Sequence, residues 1–119
     1  MFDVFTEEIE VLIKDGIANL YWYKGDLHKA WLRSGVRAAI RDEIVRLKAE
    51  DGRELSKLRQ MDALYERLRN SDYGKRLEIS RNFVRILIEH SGFTPQNEKH
   101  RVEIAERSAL KLRNRKIIT

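Results

Sequence analysis

Arg85 and His90, five positions apart, form the sharpest chemical pairing in this 119-residue chain. An imidazole can donate or accept a proton while a guanidinium stabilises phosphate charge, the two services that cleavage of a nucleic-acid backbone requires. Five helical steps leave two side chains about 140° apart, so a site using both needs a second chain or the end of a helix. His28 and His100 have no second histidine or carboxylate at ligand spacing, and no metal site is expected. Ser34, Ser80 and Ser108 lack a visible base and orienting group. Asp51-Gly52 and Lys24-Gly25-Asp26 carry turn chemistry without the longer glycine-rich loop that cradles phosphate. The absence of cysteine excludes disulfides, thiolate metal sites and thiol nucleophiles. No cofactor is expected.

The Arg-x4-His spacing of Arg85 and His90 resembles the motif of HEPN ribonucleases, all-helical domains that often cut RNA as dimers. The resemblance covers those two positions; where that motif commonly has a polar residue after its arginine, this chain has Ile86. RNA cleavage is what the resemblance implies. The weightier reading of His90 is a side chain near the C-terminal end of a helix, interacting with its dipole.

Three further features point to binding. From Lys99 to Thr119, the cations Lys99, Arg101, Arg107, Lys111, Arg113, Arg115 and Lys116 face only Glu103 and Glu106, so this segment holds the whole net charge of +5. A basic helix and tail can neutralise nucleic-acid phosphates or dock on an acidic protein, and can equally serve as a solvated helix end. Tyr21, Trp22, Tyr23 and Trp31 cluster within eleven residues. Successive helical residues point about 100° apart, so the first three cannot all enter one core, and the four are candidates for a protein interface. Finally, Arg33, Arg37 and Arg41, then Arg81 and Arg85, recur at steps of four. Such ladders repel unless compensated by acidic neighbours such as Asp42, Glu43, Glu78 and Glu89, or by an anionic ligand.

The elements that position these residues read as helices. Hydrophobic residues make up 42% and charged residues 36%, with one proline and six glycines, too few breaks for a sandwich or barrel of short strands. Stripes at steps of three and four give a first helix opening near Asp3 or Thr6 and running from Phe5 through Ile9, Ile13 and Ile17 to Tyr21. The Lys24-Gly25-Asp26 turn closes it, and Asp26 caps a second, with Leu27, Ala30 and Trp31, that Gly35 stops. A third runs from Val36 through Ile40, Ile44 and Leu47 to Asp51, with Gly52 ending it. A fourth has Leu58, Met61, Leu64, Tyr65 and Leu68 inward and Arg53, Lys57, Glu66 and Arg67 outward. The fifth, Leu77 to His90, has a wide apolar arc, and a sixth starts at Thr94-Pro95 and reaches about Arg113 with a thin seam of Val102, Ala105, Ala109 and Leu112.

The expected fold is all-α, a compact single-domain bundle of five or six helices over residues 1–113 with a basic tail at 114–119. In size and helix count it is similar to adaptor domains of the death fold. No apolar run approaches the roughly 18 residues needed to cross a bilayer, and nothing marks the chain for export. The expected function is a cytoplasmic, non-enzymatic module for protein–protein interaction, free-standing or the N-terminal part of a longer chain. Its expected partner is another protein, an acidic one among the options, or a second copy of itself. The alternative is nucleic-acid binding through the basic C-terminal helix, in a small subunit of a nucleoprotein complex; a HEPN-like ribonuclease is the remote third.

Overall fold

A computed structural model describes residues 7–21, 23–70 and 73–89, together with Arg107, Leu110 and Lys111. Helix α1, Glu7–Leu20, buries Ile9, Ile13, Ile17 and Leu20 along one side, as their spacing by four and three requires. Glu7, Glu8 and Glu10 occupy its first turn, where the amide dipoles favour negative charge. Asp3, Phe5 and Thr6 lie outside the described residues. Lys24-Gly25-Asp26 does not close α1, which stops at Leu20; it is the opening turn of α2, Lys24–Ser34. Tyr23, extended at φ −95° and ψ 141°, takes the cap position that the spacing assigns to Asp26. The break has a tertiary cause. The Tyr21 carbonyl accepts a hydrogen bond from the ammonium of Lys57, 36 residues away, rather than from a further helical turn.

Helix α2 buries Leu27, Ala30, Trp31 and Ser34 and ends at Gly35. There φ is +111°, a conformation that a β-carbon would strain. The amide of Val36 bonds to the Trp31 carbonyl at 3.0 Å and that of Gly35 to the Leu32 carbonyl at 3.2 Å, the paired closure of a Schellman turn. Helix α3, Ala38–Val45, buries Ile40 and Ile44 but stops six residues short of Asp51. Leu47 is 44% exposed and starts a loop closed by the Lys48–Glu54 bridge, with Gly52 at φ +83°. Arg53 therefore belongs to a turn, its amide donating to Asp51 Oδ1 at 3.0 Å, and not to a helix. Beyond Leu47 no apolar residue continues the stripe before Leu55, so a longer α3 would have nothing to bury.

Helix α4, Lys57–Arg69, is capped by Ser56, whose hydroxyl accepts from the Arg59 amide at 3.3 Å. Met61, Leu64, Tyr65 and Leu68 are buried as expected, whereas Leu58 is 41% exposed. Gln60 takes the inward place, with Nε2 donating to the Leu55 carbonyl and Oε1 accepting from His28 Nε2 at 2.7 Å. Helix α5, Tyr73–Glu89, begins four residues before Leu77 and buries Ile79, Phe83, Val84 and Leu87, with Leu77 and Ile86 half-buried beside them. Of the expected sixth helix, Arg107, Leu110 and Lys111 are described, and they are helical. The fold is thus an all-α bundle of five helices, with no strand among the described residues. No helix of the described residues is long and apolar enough to cross a membrane.

Helices α1, α4 and α5 pack on one another, α3 lies on α4, and α2 bridges α5 and α3. Polar groups tie this core together. The carboxylate of Glu10, only 3% exposed, accepts from Arg69 Nη1 at 2.9 Å and from Arg76 Nε at 2.6 Å, joining α1, α4 and α5. Tyr65 and Ser80 share a 2.7 Å hydrogen bond between α4 and α5, and Trp31 Nε1 donates to Met61 Sδ at 3.1 Å between α2 and α4. Each satisfies a group whose burial alone would be unfavourable.

Two stability predictions follow from these contacts. Glu10→Ala leaves two guanidinium groups without their shared carboxylate and should lower unfolding free energy by about 3 kcal/mol, seen as a lower urea midpoint at unchanged slope. A variant as stable as the parent would show that the cluster adds nothing. Burial pushes the Tyr65 phenol well above its ordinary 10.0, against a lowering by the Ser80 hydrogen bond. Above pH 10 the unfolded chain loses this proton while the fold keeps it, so stability must fall as pH rises. Tyr65→Phe should cost about 1 kcal/mol below pH 10 through the orphaned Ser80 hydroxyl and should lose less stability than the parent above it. Urea titrations on both sides of pH 10 read this directly. A slope remains in the variant, because burial also raises the Tyr21 phenol.

Candidate functional site

Residues of the two arginine runs flank a contact where α2 packs on α5. Asn82 Nδ2 donates to the Ser34 carbonyl at 2.8 Å across 48 residues of sequence. One step along, Gly35 faces Ile79, and a β-carbon there would stand in ordinary contact with Ile79 Cγ1 at 3.6 Å. Arg33 immediately precedes Ser34, and Arg81 and Arg85 flank Asn82 within one helical turn. Arg37 follows the Gly35 turn as the residue capping α3, with no capping hydrogen bond from its side chain. All four are exposed, and none forms a salt bridge among the described residues. Gly35 breaks the helix inside the first ladder, so Arg33 and Arg37 reach this side from different elements. Arg41 drops out of the ladder by binding its neighbour Asp42, with Nε at 3.0 Å and Nη2 at 2.9 Å.

Of the carboxylates named for these ladders, three have described partners, and the side chain of Glu89 lies outside the described residues. Asp42 holds Arg41, Glu43 accepts from Arg67 at 3.0 Å, and Glu78 pairs with Lys75 at 3.3 Å. Arg33 acts on one buried polar neighbour: the Tyr21 hydroxyl has no hydrogen-bond partner among the described residues, and burial raises its pKa while Arg33 lowers it and Asp26 raises it.

At one end of the arginine face lies a notch of about 330 Å³, floored by Val36, Ile40, Leu68 and Ile79 and edged by Arg37 and Lys75. Its floor residues belong to the core, while both cations are exposed. Sequence reasoning missed Lys75, an ordinary surface lysine whose importance comes only from the Gly35 turn meeting the first turns of α5. A second hollow of about 260 Å³, between α3 and α4, is crossed by the Arg67–Glu43 salt bridge.

The aromatic candidates do not share one surface. Trp31 is fully buried and Tyr21 nearly so, Tyr23 is 57% exposed at the start of α2, and Trp22 lies outside the described residues. The spacing separates Tyr21 from Tyr23 correctly, but Trp31 belongs to the core, with His28 against it at 5.1 Å between ring centroids. His28 is further held by Gln60, which fixes its Nε2–H tautomer. Of the C-terminal cations, Arg107 and Lys111 are helical and exposed, alongside Leu110 at 58% exposure. Lys99, Arg101, Arg113, Arg115 and Lys116 lie outside the described residues, as do His90 and His100. Arg85 is exposed on α5. Among the described residues no group of three or more His, Asp or Glu side chains gathers closely enough to hold a metal ion.

This arrangement offers charge and shape for holding an anion next to an apolar group. Compared with known proteins, the chain matches no family model, no curated protein and no solved structure.

Proposed function

We propose that this chain is a non-enzymatic helical module that recruits an acidic protein partner through the face built by α2, the Gly35 turn and α5. The observation that supports this reading is the Asn82–Ser34 hydrogen bond, which joins the chain segments that carry exposed Arg33, Arg81 and Arg85, none of them in a described salt bridge. Exposed like charges brought together repel, and an acidic partner relieves that repulsion and gains steering at long range. Arginine suits the task because its planar fork binds carboxylates through two parallel hydrogen bonds. Two features favour a protein over a nucleic acid. The Lys75–Glu78 pair interrupts the cationic stripe with a carboxylate, and the floor of the notch beside Arg37 is aliphatic, with no aromatic ring among the described residues that line it on which a base could stack.

The second reading is nucleic-acid binding by the C-terminal segment, favoured by the exposed helical positions of Arg107 and Lys111. One experiment separates the two. The full chain and an Arg81→Glu/Arg85→Glu variant of equal helicity are used as bait in extract of the native host, with and without nuclease. The expected result is capture of an acidic protein that resists nuclease and falls at least tenfold with the variant. Equal capture by both baits would remove the α2–α5 face from the interaction. Nuclease-sensitive capture would favour nucleic acid, where neutralising about five phosphates gives a salt slope near −4.5 on duplex DNA.

A further inference from the structure

We infer that the notch between the Gly35 turn and the first turns of α5 receives one bulky apolar side chain of an acidic peptide segment, whose flanking carboxylates rest on Arg37 and Lys75. This deepens the acidic-partner reading above and rests on it. At about 330 Å³ the notch lies at the small end of the range of ligand pockets, about 300 to 1,000 Å³, and suits a single anchor rather than a helix laid along a groove. The four floor residues Val36, Ile40, Leu68 and Ile79 are all aliphatic and come from three different stretches of chain. Their mutual packing in the core holds the cavity's shape before any ligand arrives, which lowers the ordering cost of binding.

Charge at the edge selects the occupant. Arg37 has no salt bridge among the described residues, and the ammonium of Lys75, paired with Glu78, is exposed at the opposite edge. A carboxylate on each side of an apolar anchor meets a cation on each side of the notch. The chain's own C-terminal segment, with seven cations against two carboxylates, meets like charge there. A nucleic-acid strand meets the cations but has no aliphatic group for the floor. Apolar anchors in small desolvated pockets ringed by polar contacts are where binding energy concentrates in protein interfaces.

The test uses the full chain and two fluorescein-labelled peptides, one with Glu-Asp-Phe-Asp-Glu at its centre and one with Ala replacing Phe, read by fluorescence anisotropy. The Phe peptide should bind about tenfold to a hundredfold more tightly than the Ala peptide. It should also shift the methyl resonances of Val36, Ile40, Leu68 and Ile79, which the Ala peptide leaves in place. The surface variants Arg37→Glu and Lys75→Glu should weaken the Phe peptide at least tenfold each with unchanged circular dichroism. Equal binding of the two peptides, lost in Arg81→Glu/Arg85→Glu, overturns the anchor pocket and leaves the acidic-partner reading standing. No binding of either peptide overturns both. A single-stranded oligonucleotide that outcompetes the Phe peptide overturns both in favour of nucleic acid. Self-association of the chain that Lys75→Glu abolishes overturns the inference in favour of a second copy as occupant.

Discussion

The buried carboxylate of Glu10 sets the spacing of this bundle. It holds Arg69 at the end of α4 and Arg76 near the start of α5, two helices that leave from the same corner of the structure. A charge removed from water is tolerated only where its partners are fixed, so Arg69 and Arg76 cannot drift apart without exposing or orphaning it. Their immediate neighbours, Leu68 and Lys75, belong to the floor and the edge of the notch. The separation of α4 and α5 at the candidate site is therefore set from the far side of those helices, by a residue of α1 that does not itself line the site. Tyr65 and Ser80 repeat the tie one layer further along the same pair of helices.

The chain places its unpaired cations with some economy. Lys14 pairs with Asp62, Lys24 with Glu54, Arg53 with Asp51 and Arg67 with Glu43, so much of the surface charge is matched locally. Exposed pairs of this kind add little stability, but they leave the arginines around Asn82 as a region where positive charge is not matched by a described neighbour. The cationic region defined in this way is distributed over α2, the turn after it and α5. No single segment of sequence carries it.

That distribution explains what was and was not legible in the residue order. Stripes at steps of three and four identify all five described helices, because burial of one face is a local property of sequence and largely decides where a helix can exist. Helix ends are less local. α1 ends where Lys57 captures the Tyr21 carbonyl, and α3 ends where its stripe runs out of core. Leu58 and Gln60 trade the places that hydrophobicity alone assigns them, because His28 and the Leu55 carbonyl supply Gln60 with both of its hydrogen bonds. For the site, the arginine ladders are visible as spacing, but the contact between the segments that carry them depends on α2 meeting α5. Trp31 looks like an interface residue until its indole N–H is seen to have a partner inside the protein.

That partner is the sulfur of Met61, the only methionine besides Met1. A thioether is the side chain most readily converted by peroxide to a sulfoxide, yet this one has no exposed surface. Oxidant reaches it only when the packing around it opens, and a sulfoxide would bring a polar oxygen into that apolar surrounding. The chemistry of one sulfur atom is in this way tied to the integrity of the packing around it, since it has no surface at which to react while the bundle is closed.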